Sequence, residues 1–351
     1  MVLNWNGEGF LRRCVESLHH NACPHVELVV VDNASTDRSV SMMKQEFPTV
    51  PVIVLPTNLS HAAGRNAAIP YLKGRFIVFL DNDVTVETGW LPPLVNRMLR
   101  DPRVGISTPK IRLSALPGRL QGVGGYLKLW TGNRELGYGY PDDFYTPGET
   151  IEPFYGFGAA LVVRRDVFEH IGGFDDRMFP TGTDDLDLAW RARLAGYRVV
   201  CLTDSVVDHY LSGARGVLDP HTITFHTYHL LRTMAKCLSW PNLVHSIPAY
   251  ITFAIASGAA TSVLSRDLRL FAAIVSALGR FAMSIPELRR SRAATQRLRT
   301  APDSRVLRSQ GFGLCETPAE LWRKLQIMRA IARHHLEEDL PPGHVEPDVE
   351  A

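Results

Sequence analysis

Two aspartates separated by one residue are the side chains of this chain best suited to chemistry. Asp81 and Asp83 flank Asn82 directly after an apolar run at residues 76–80, and the next Lys or Arg along the chain is Arg97. Carboxylate and amide oxygens suit a hard divalent cation such as Mg²⁺ or Mn²⁺. A plain Asp-Asn-Asp turn is the alternative interpretation. The position at the end of a predicted buried strand favours a cation site that bridges substrate phosphates.

A second acidic cluster opens a predicted helix over residues 184–195. Asp184, Asp185 and Asp187 fall within four residues of one another. The exposed amides at a helix start favour one or two acids there. This preference does not account for a third acid, so one of the three is available to accept a proton from a reacting group.

The segments around these residues alternate between strand and helix. Continuous apolar runs at residues 26–31, 51–55 and 75–80 predict buried strands, and amphipathic helical patterns lie between them. This alternation predicts the α/β class with a doubly wound, mostly parallel sheet, whose ligands bind beyond the carboxyl ends of the strands. Polar clusters at residues 4–6, 32–33 and 81–83 stand at three such ends, so we expect them to converge on one crevice.

The following region is predicted to carry substrate contacts. Residues 104–153 are rich in Gly, Pro and Tyr, which predicts short strands and a long loop that contacts a ligand or moves as a lid. Regular structure is predicted again at residues 156–163, 165–170 and 199–202. We expect the first domain to comprise residues 1–215.

Composition excludes some classes of protein. The chain has 351 residues, 45% of them hydrophobic and 21% charged, with a net charge of +2, so it can bury a large core and is not expected to bind a nucleic-acid polymer. Its five cysteines lack zinc-ligand spacing, which predicts reduced thiols in the cytoplasm. The opening segment does not resemble a signal peptide. Its first strand is short for the centre of a sheet, so we expect that a few residues precede Met1.

The carboxy-terminal part changes character. Residues 244–264 contain no Lys, Arg, Asp or Glu, a second apolar stretch covers residues 270–279, and seven arginines lie between residues 289 and 308. We expect residues 216–310 to be helical, and residues 311–351 to be a helix with a loose tail. A hairpin on the inner leaflet, its arginines meeting lipid phosphates, is the first interpretation of this region. A transmembrane passage and ordinary soluble packing remain alternatives.

Taken in order, these motifs resemble glycosyltransferase family 2, particularly its rhamnosyltransferase-like members. The resemblance covers roughly residues 1–235, and its specificity lies in the ordered combination. The residues that carry it are Asn4-Trp5-Asn6-Gly7, Asp32-Asn33-Ala34-Ser35-Thr36-Asp37, Asn66, Asp81-Asn82-Asp83, Gly172-Gly173-Phe174-Asp175 and Asp184-Asp185-Leu186-Asp187-Leu188-Ala189-Trp190-Arg191.

The resemblance implies a GT-A fold, a Rossmann-like nucleotide-diphospho-sugar transferase, that inverts the anomeric carbon in a single displacement. It implies a metal at Asp83, a general base at Asp185 and a further metal ligand at His209, for which a packed histidine is an equal alternative. The donor, a dTDP- or UDP-sugar, is expected to contact the following residues: Asn4, Asn6, Asp32, Asn33, Arg65, Asp81 and Asn82. Within this set Asp32 serves the nucleobase or ribose, Asp81 the ribose, and Arg65 the diphosphate.

The acceptor side is expected to include Asp184 and Trp190, although the spacing of Trp190 with Leu186 and Leu194 favours the core for this ring. The family more often has Glu where this chain has Asp184, which leaves the assignment of Asp185 unchanged. The expected acceptor is a glycan or a polyprenyl-linked saccharide in cell-envelope polysaccharide synthesis, at the inner face of the membrane. A sugar-phosphate nucleotidyltransferase and a non-catalytic membrane scaffold are the alternatives.

Overall fold

A mixed β-sheet forms the centre of the molecule. The computed structural model describes residues 1–180, 182–211, 219–308, 326–327 and 330–331. Within this part, ten strands join in one sheet. Eight of them have the order β10-β12-β6-β11-β4-β1-β2-β3, while β5 pairs with β12 and β7 pairs with β6. Strands β8 and β9 form a separate hairpin. The strands are β1 (Val2–Asn4), β2 (Val30–Asp32), β3 (Val52–Val54), β4 (Phe76–Asp81), β5 (Val84–Val86), β6 (Val104–Leu113), β7 (Leu120–Gly122), β8 (Gly125–Lys128), β9 (Gly132–Glu135), β10 (Thr150–Ile151), β11 (Ala160–Arg164) and β12 (Arg198–His209).

Helices cover the sheet and extend beyond it. In the described residues they are α1 (Glu8–His20), α2 (Ser39–Glu46), α3 (Ser60–Ala68), α4 (Leu91–Arg100), α5 (Arg165–Ile171), α6 (Asp184–Leu194), α7 (Pro220–Cys237), α8 (Trp240–Ser265), α9 (Arg269–Arg297) and α10 (Asp303–Val306). The helices α5 and α6 agree with the sequence prediction within a few residues. The predicted boundary at residue 215 and nearly all of residues 311–351 lie outside the described residues.

The parallel half of the sheet brings the polar strand ends together. Strand β1 lies between β4 and β2 and is parallel to both, with Leu3 opposite Asp81 and Asn4 opposite Asp32. The side chain of Asn4 donates to Asp32 Oδ1 over 2.9 Å and accepts from Asn82 Nδ2 over 2.7 Å. The three polar clusters therefore meet at one edge, as the strand pattern predicts.

Several strands differ from the prediction, among them β12, which runs over Arg198–His209 where residues 199–202 were predicted. Strand β2 begins at Val30 rather than at Val26, whose side chain is exposed. Strand β6, at Val104–Leu113, runs for ten residues through the region predicted as short strands and loop. The strand was not predicted because it contains polar residues. One of them, Lys110, is buried and forms an ion pair with Asp142 at 2.7 Å.

The first helix after the sheet shares the hydrophobic core of the sheet. Leu230, Leu231 and Met234 of α7 are buried in the same cluster as the strand residues. The next two helices are more exposed. By length and composition alone, α8 and α9 are apolar enough to cross a membrane.

Candidate active site

Three potential metal ligands meet where β4 ends and β5 begins. Strand β5 pairs with β12 so that Val84 lies opposite His209, and the amide of Tyr210 donates to the carbonyl of Asp83 over 3.0 Å. This register places one ligand atom each of Asp81, Asp83 and His209 within 4.8 Å of one another. Two carboxylates and an imidazole form a donor set that suits Mn²⁺ or Mg²⁺.

The imidazole of this group is held by a residue that the sequence did not indicate. His209 Nδ1 lies 2.7 Å from Gln121 Oε1 on β7, and Nε2 lies 3.1 Å from Asp83 Oδ1. Burial would lower the pKa of His209, but the charge and hydrogen bond of Asp83 raise it above its ordinary value. An amide oxygen opposite Nδ1 favours a proton on that nitrogen and leaves Nε2 directed at the carboxylates, as in ligand histidines.

The structure places Arg65, predicted as a diphosphate contact, in two buried ion pairs, and that contact stays a prediction. Its side chain is only 1% exposed, and Nη2 lies 2.6 Å from Asp81 Oδ1 while Nη1 lies 2.9 Å from Asp184 Oδ2. Nη2 also donates to the carbonyl of Gly158 over 3.0 Å. The guanidinium thus joins the end of β4 to the start of α6. It also leaves Asp184 paired with Arg65, and the acceptor-side role of Asp184 stays a prediction.

Asp185 follows this ion pair and is only partly buried. Its Oδ2 accepts from the amide of Gly158 over 2.9 Å and its Oδ1 from the amide of Leu186 over 2.7 Å. Burial and the charge of Asp184 raise the pKa of Asp185 to about 7, outweighing these two hydrogen bonds and Arg65. A carboxylate with a pKa near neutrality is suited to accept a proton in a reaction.

The remaining donor-side residues divide into two groups. Asn4 and Asn33 are buried, and their amides bind neighbouring loops, since Asn33 Oδ1 accepts from Leu59 and its Nδ2 donates to Asn58 Oδ1. Both residues shape the crevice through these hydrogen bonds, and their direct contact with a donor stays a prediction.

The second group keeps its predicted role open. Asp32 is also buried and accepts from Asn4 and from the amide of Ser35 over 2.9 Å, yet each carboxylate oxygen has a second lone pair. Asn6 and Asn82 are partly exposed at the same edge. Donor contacts by these three residues remain predictions.

Trp190 lies in the core. Its side chain is 0% exposed and packs edge-on against Phe154 with ring centroids 5.3 Å apart. This position agrees with the core interpretation favoured by its spacing, and an acceptor contact by this ring stays a prediction.

A buried charge network fixes α6 from its other side. Lys236 Nζ on α7 lies 2.6 Å from Asp187 Oδ1 and 2.5 Å from Asp175 Oδ2, and Arg191 lies 2.7 Å from Asp187. Burial would raise the pKa of Asp175, but Lys236 and Arg232 hold it below its ordinary value. The orientation of the helix that carries Asp185 thus depends on α7.

Comparisons with known proteins agree with this arrangement. The model of the family "Glycosyl transferase family 2" matches residues 1–172. The chain is 29% identical over 219 residues to the O-antigen biosynthesis protein RfbC of Myxococcus xanthus, covering 58% of the chain and 16% of that relative. It is 31% identical over 208 residues to a pre-mycofactocin glycosyltransferase of Mycobacterium tuberculosis, covering 58% of the chain and 40% of that relative.

A third relative is matched over more of its own length. The N-acetylglucosaminyl-diphospho-decaprenol L-rhamnosyltransferase of Mycobacterium tuberculosis is 27% identical over 230 residues, covering 59% of the chain and 73% of the relative. The chain thus spans less than half of the first two relatives and nearly three quarters of the third.

Solved structures share the fold at low sequence identity. The structure of GalNAc-T7 with UDP, GalNAc and Mn²⁺ superposes with a TM-score of 0.58 at 16% identity, covering 82% of this chain and 56% of that one. Residues 1–349 of TarS from S. aureus superpose with a TM-score of 0.55 at 18% identity, covering 85% and 87% of the two chains. Residues 1–172 thus form a domain of glycosyl transferase family 2, and the fold is GT-A.

Proposed function

We propose that this protein transfers a sugar from a nucleoside-diphosphate sugar to a hydroxyl group of an acceptor, with inversion at the anomeric carbon. The observation that carries the proposal is the bridge made by Arg65. It contacts Asp81 of the metal-ligand group and Asp184 beside the raised-pKa Asp185. One buried side chain thus links a cation site to a candidate base, the two components that such a transfer needs.

The donor half of the site is assigned to the edge formed by β1, β2 and β4. Asp81, Asp83 and His209 would hold Mg²⁺ or Mn²⁺, which supplies positive charge for the departing nucleoside diphosphate. Asp32, Asn6 and Asn82 are assigned to the nucleoside, and UDP- and dTDP-sugars are the expected donors. The Mn²⁺ and UDP in the GalNAc-T7 structure support this assignment.

The acceptor half is assigned to Asp185. Its carboxylate, held by the amides of Gly158 and Leu186, accepts the proton of the attacking hydroxyl as the new glycosidic bond forms. The bond from the anomeric carbon to the diphosphate oxygen breaks at the same time. The name of the L-rhamnosyltransferase relative supports a deoxyhexosyl donor and an acceptor linked to a polyprenyl diphosphate.

A panel of nucleotide sugars tests this function. With Mn²⁺ present, one or a few donors should release their nucleoside diphosphate, measured by chromatography, and EDTA should stop the release. Release of pyrophosphate from a nucleoside triphosphate and a sugar phosphate would instead identify a nucleotidyltransferase. A chain that neither binds nor cleaves any nucleotide sugar would leave only the scaffold alternative.

We also propose that α8 contacts the inner leaflet of the membrane. This 26-residue helix has no charged residue, and Val244, Val263 and Leu264 point outward with at least 66% exposure. Trp240 is 66% exposed at the start of α8, and tryptophan rings are enriched at membrane interfaces.

The arginine prediction needs one correction. Arg292 and Arg299 do not extend toward a membrane, because both donate to backbone carbonyls at the end of α7, where Arg292 reaches Ala235 over 2.6 Å and Leu238 over 2.7 Å. The arginines of this segment that remain exposed on the structure are Arg289, Arg290, Arg297, Arg305 and Arg308. These are the residues now assigned to anionic headgroups.

Sedimentation with vesicles tests the membrane contact. The protein should pellet with vesicles of phosphatidylcholine and phosphatidylglycerol, and Val263→Glu with Leu264→Glu should weaken this binding at least tenfold, because burying each apolar side chain contributes about 1.5–3 kcal/mol. Leu99→Glu, at an exposed leucine of α4, is the matched control and should change nothing. Wild-type protein that stays in the supernatant would contradict the proposal.

A further inference from the structure

Strand β7 contains an irregularity at Gln121. On the neighbouring strand β6, Ile111 lies opposite Gly122, whereas Arg112 lies opposite Leu120. A regular antiparallel pair would place Gln121 opposite Arg112, so Gln121 is an extra residue in the ladder. Such a β-bulge interrupts the alternation of side chains along a strand and can redirect one of them toward a site beside the sheet.

The bulge determines which face of the sheet Gln121 joins. Strand β12 runs parallel to β6, with Asp208 beside Arg112 and His209 beside Leu113. Arg112 Nη2 lies 2.7 Å from Asp208 Oδ2, so these two side chains share one face, and the next residue, His209, points to the other face. In a regular ladder Gln121 would share the face of Arg112. Instead its Oε1 lies 2.7 Å from His209 Nδ1.

The residue after Gln121 has to be glycine. Gly122 has φ +152°, and a Cβ there would stand 2.5 Å from the carbonyl oxygen of Leu136 and 3.1 Å from the ring of Phe157. The same carbonyl accepts from the amide of Val123 over 3.0 Å. The backbone directly beside the bulge is therefore enclosed by its neighbours, and the position of Gln121 is fixed.

The hydrogen bond to Gln121 determines which nitrogen of His209 can bind a cation. An amide oxygen only accepts hydrogen bonds, so the hydrogen between the two side chains is on Nδ1. Nε2, on the other side of the ring, lies 3.1 Å from Asp83 Oδ1 in the group of potential metal ligands. Histidine ligands in metal sites commonly donate from their second nitrogen to an oxygen in this way.

The imidazole is the ligand of this group that can distinguish Mn²⁺ from Mg²⁺. Proteins bind Mg²⁺ mainly through oxygen atoms, whereas imidazole nitrogen is a ligand for transition metals. The carboxylates of Asp81 and Asp83 suit either ion. A correctly oriented His209 therefore adds more to the affinity for Mn²⁺ than to the affinity for Mg²⁺.

We propose that Gln121 is the positioning residue of the candidate metal site, which holds His209 with Nε2 toward the cation and so makes the site prefer Mn²⁺ to Mg²⁺. Gln121 is not itself a ligand, because its amide oxygen faces Nδ1, the nitrogen directed away from Asp83. The inference deepens the proposed function, since it concerns the cation assigned to the donor diphosphate.

Binding of Mn²⁺ alone, without nucleotide, tests this role when free Mn²⁺ is measured by EPR spectroscopy. Gln121→Met keeps the length of the side chain but removes the amide oxygen, and it should weaken Mn²⁺ binding about tenfold. Mg²⁺ binding, measured by competition, should weaken by less than about threefold. Gln121→Glu still offers an oxygen to Nδ1 and should bind Mn²⁺ at least as tightly as wild type. Gln45→Met, at an exposed glutamine of α2, is the matched control.

Pulsed EPR of bound Mn²⁺ reports on the imidazole directly, because a coordinated nitrogen nucleus modulates the echo of the ion. Wild type and Gln121→Glu should show this nitrogen signal, and Gln121→Met should show it weakened. His209→Gln should lack it and serves as the reference. A general loss of folded protein would not produce this pattern among the ions that remain bound.

Gln121→Met protein that keeps the wild-type Mn²⁺ affinity and nitrogen signal would overturn the inference. An equal weakening of Mn²⁺ and Mg²⁺ binding would also overturn it, because Gln121 would then support the pocket as a whole. The same holds for wild-type protein that binds Mn²⁺ without a nitrogen signal or does not bind it. Since no nucleotide takes part, a protein that shows the expected metal effects but cleaves no nucleotide sugar would contradict the proposed function and leave the role of Gln121 intact.

Discussion

Replacing Asp185 with Asn is expected to lower kcat for sugar transfer by roughly 10²–10⁴-fold while leaving donor affinity unchanged. The carboxamide has nearly the size of the carboxylate but cannot accept the proton of the attacking hydroxyl. Asp83 and His209, assigned to the cation, are untouched. Steady-state transfer rates and isothermal titration of the nucleoside diphosphate with Mn²⁺ measure the two effects separately.

The pH dependence gives a second readout of the same residue. Because the base acts when deprotonated and its pKa is raised to about 7, kcat of the wild type should fall as the pH drops below about 7. Asp176→Asn, at an exposed aspartate, is the matched control and should keep both rate and profile. Wild-type turnover in Asp185→Asn would exclude Asp185 as the base.

The same raised pKa has a consequence for stability. The carboxyl of Asp185 titrates near 7 in the folded chain and near 3.8 when unfolded. The folded state therefore binds the proton more tightly, and this group favours folding at low pH. This contribution to the free energy of unfolding is lost as the pH rises through about 7, because the partly buried carboxyl then becomes charged in the folded state.

Replacing Lys236 with Met is expected to lower the free energy of unfolding by about 3–5 kcal/mol. The ammonium lies between the carboxylates of Asp175, which is partly buried, and Asp187, which is fully buried. Met fills its volume but leaves both acids without this partner. Arg191 and Arg232 remain near these acids and offset part of the loss. Urea denaturation followed by circular dichroism measures the change.

Lys44→Met, at an exposed lysine, provides the control and should alter stability by no more than about 0.5 kcal/mol. An equal, small effect of both substitutions would mean that the network does not stabilise α6. Since Asp187 lies on the helix that begins with Asp184 and Asp185, a partly folded Lys236→Met protein should also lose transfer activity.

The donor edge could be predicted from sequence because it follows from strand order. Parallel strands end at the same edge of a sheet, so Asp32 and Asp81, each at the end of an apolar run, had to lie near Asn4. The start of α6 could also be predicted, because Asp184, Asp185 and Asp187 cluster in its first turn. These are local patterns, and local patterns need no knowledge of partners far along the chain.

The rest of the site depends on contacts between residues that are far apart in the sequence. Arg65 is buried because two acids, 16 and 119 residues away, surround it, and no spacing rule reports that. His209 meets Asp83 through the register of β5 on β12, and Gln121 joins them from a segment predicted as loop.

The charged residues of α7 pair with residues that precede the predicted boundary at 215. In the sequence, Arg232 and Lys236 are ordinary basic residues after the predicted boundary at 215. In the structure they neutralise Asp175 and Asp187 of the preceding region. Buried charges need partners, so this network makes α7 part of the support of the active site.

Isothermal titration of UDP and dTDP, with Mn²⁺ and with EDTA, tests most directly whether Asp81, Asp83 and His209 hold a cation that binds a nucleoside diphosphate. We expect at least one of these nucleotides to bind the wild type at least tenfold tighter with Mn²⁺, and Asp83→Asn to abolish the difference. Asp143→Asn, at an exposed aspartate, should preserve it. Wild-type binding that is indifferent to Mn²⁺, or Asp83→Asn protein that keeps the full Mn²⁺ effect, would contradict the metal site.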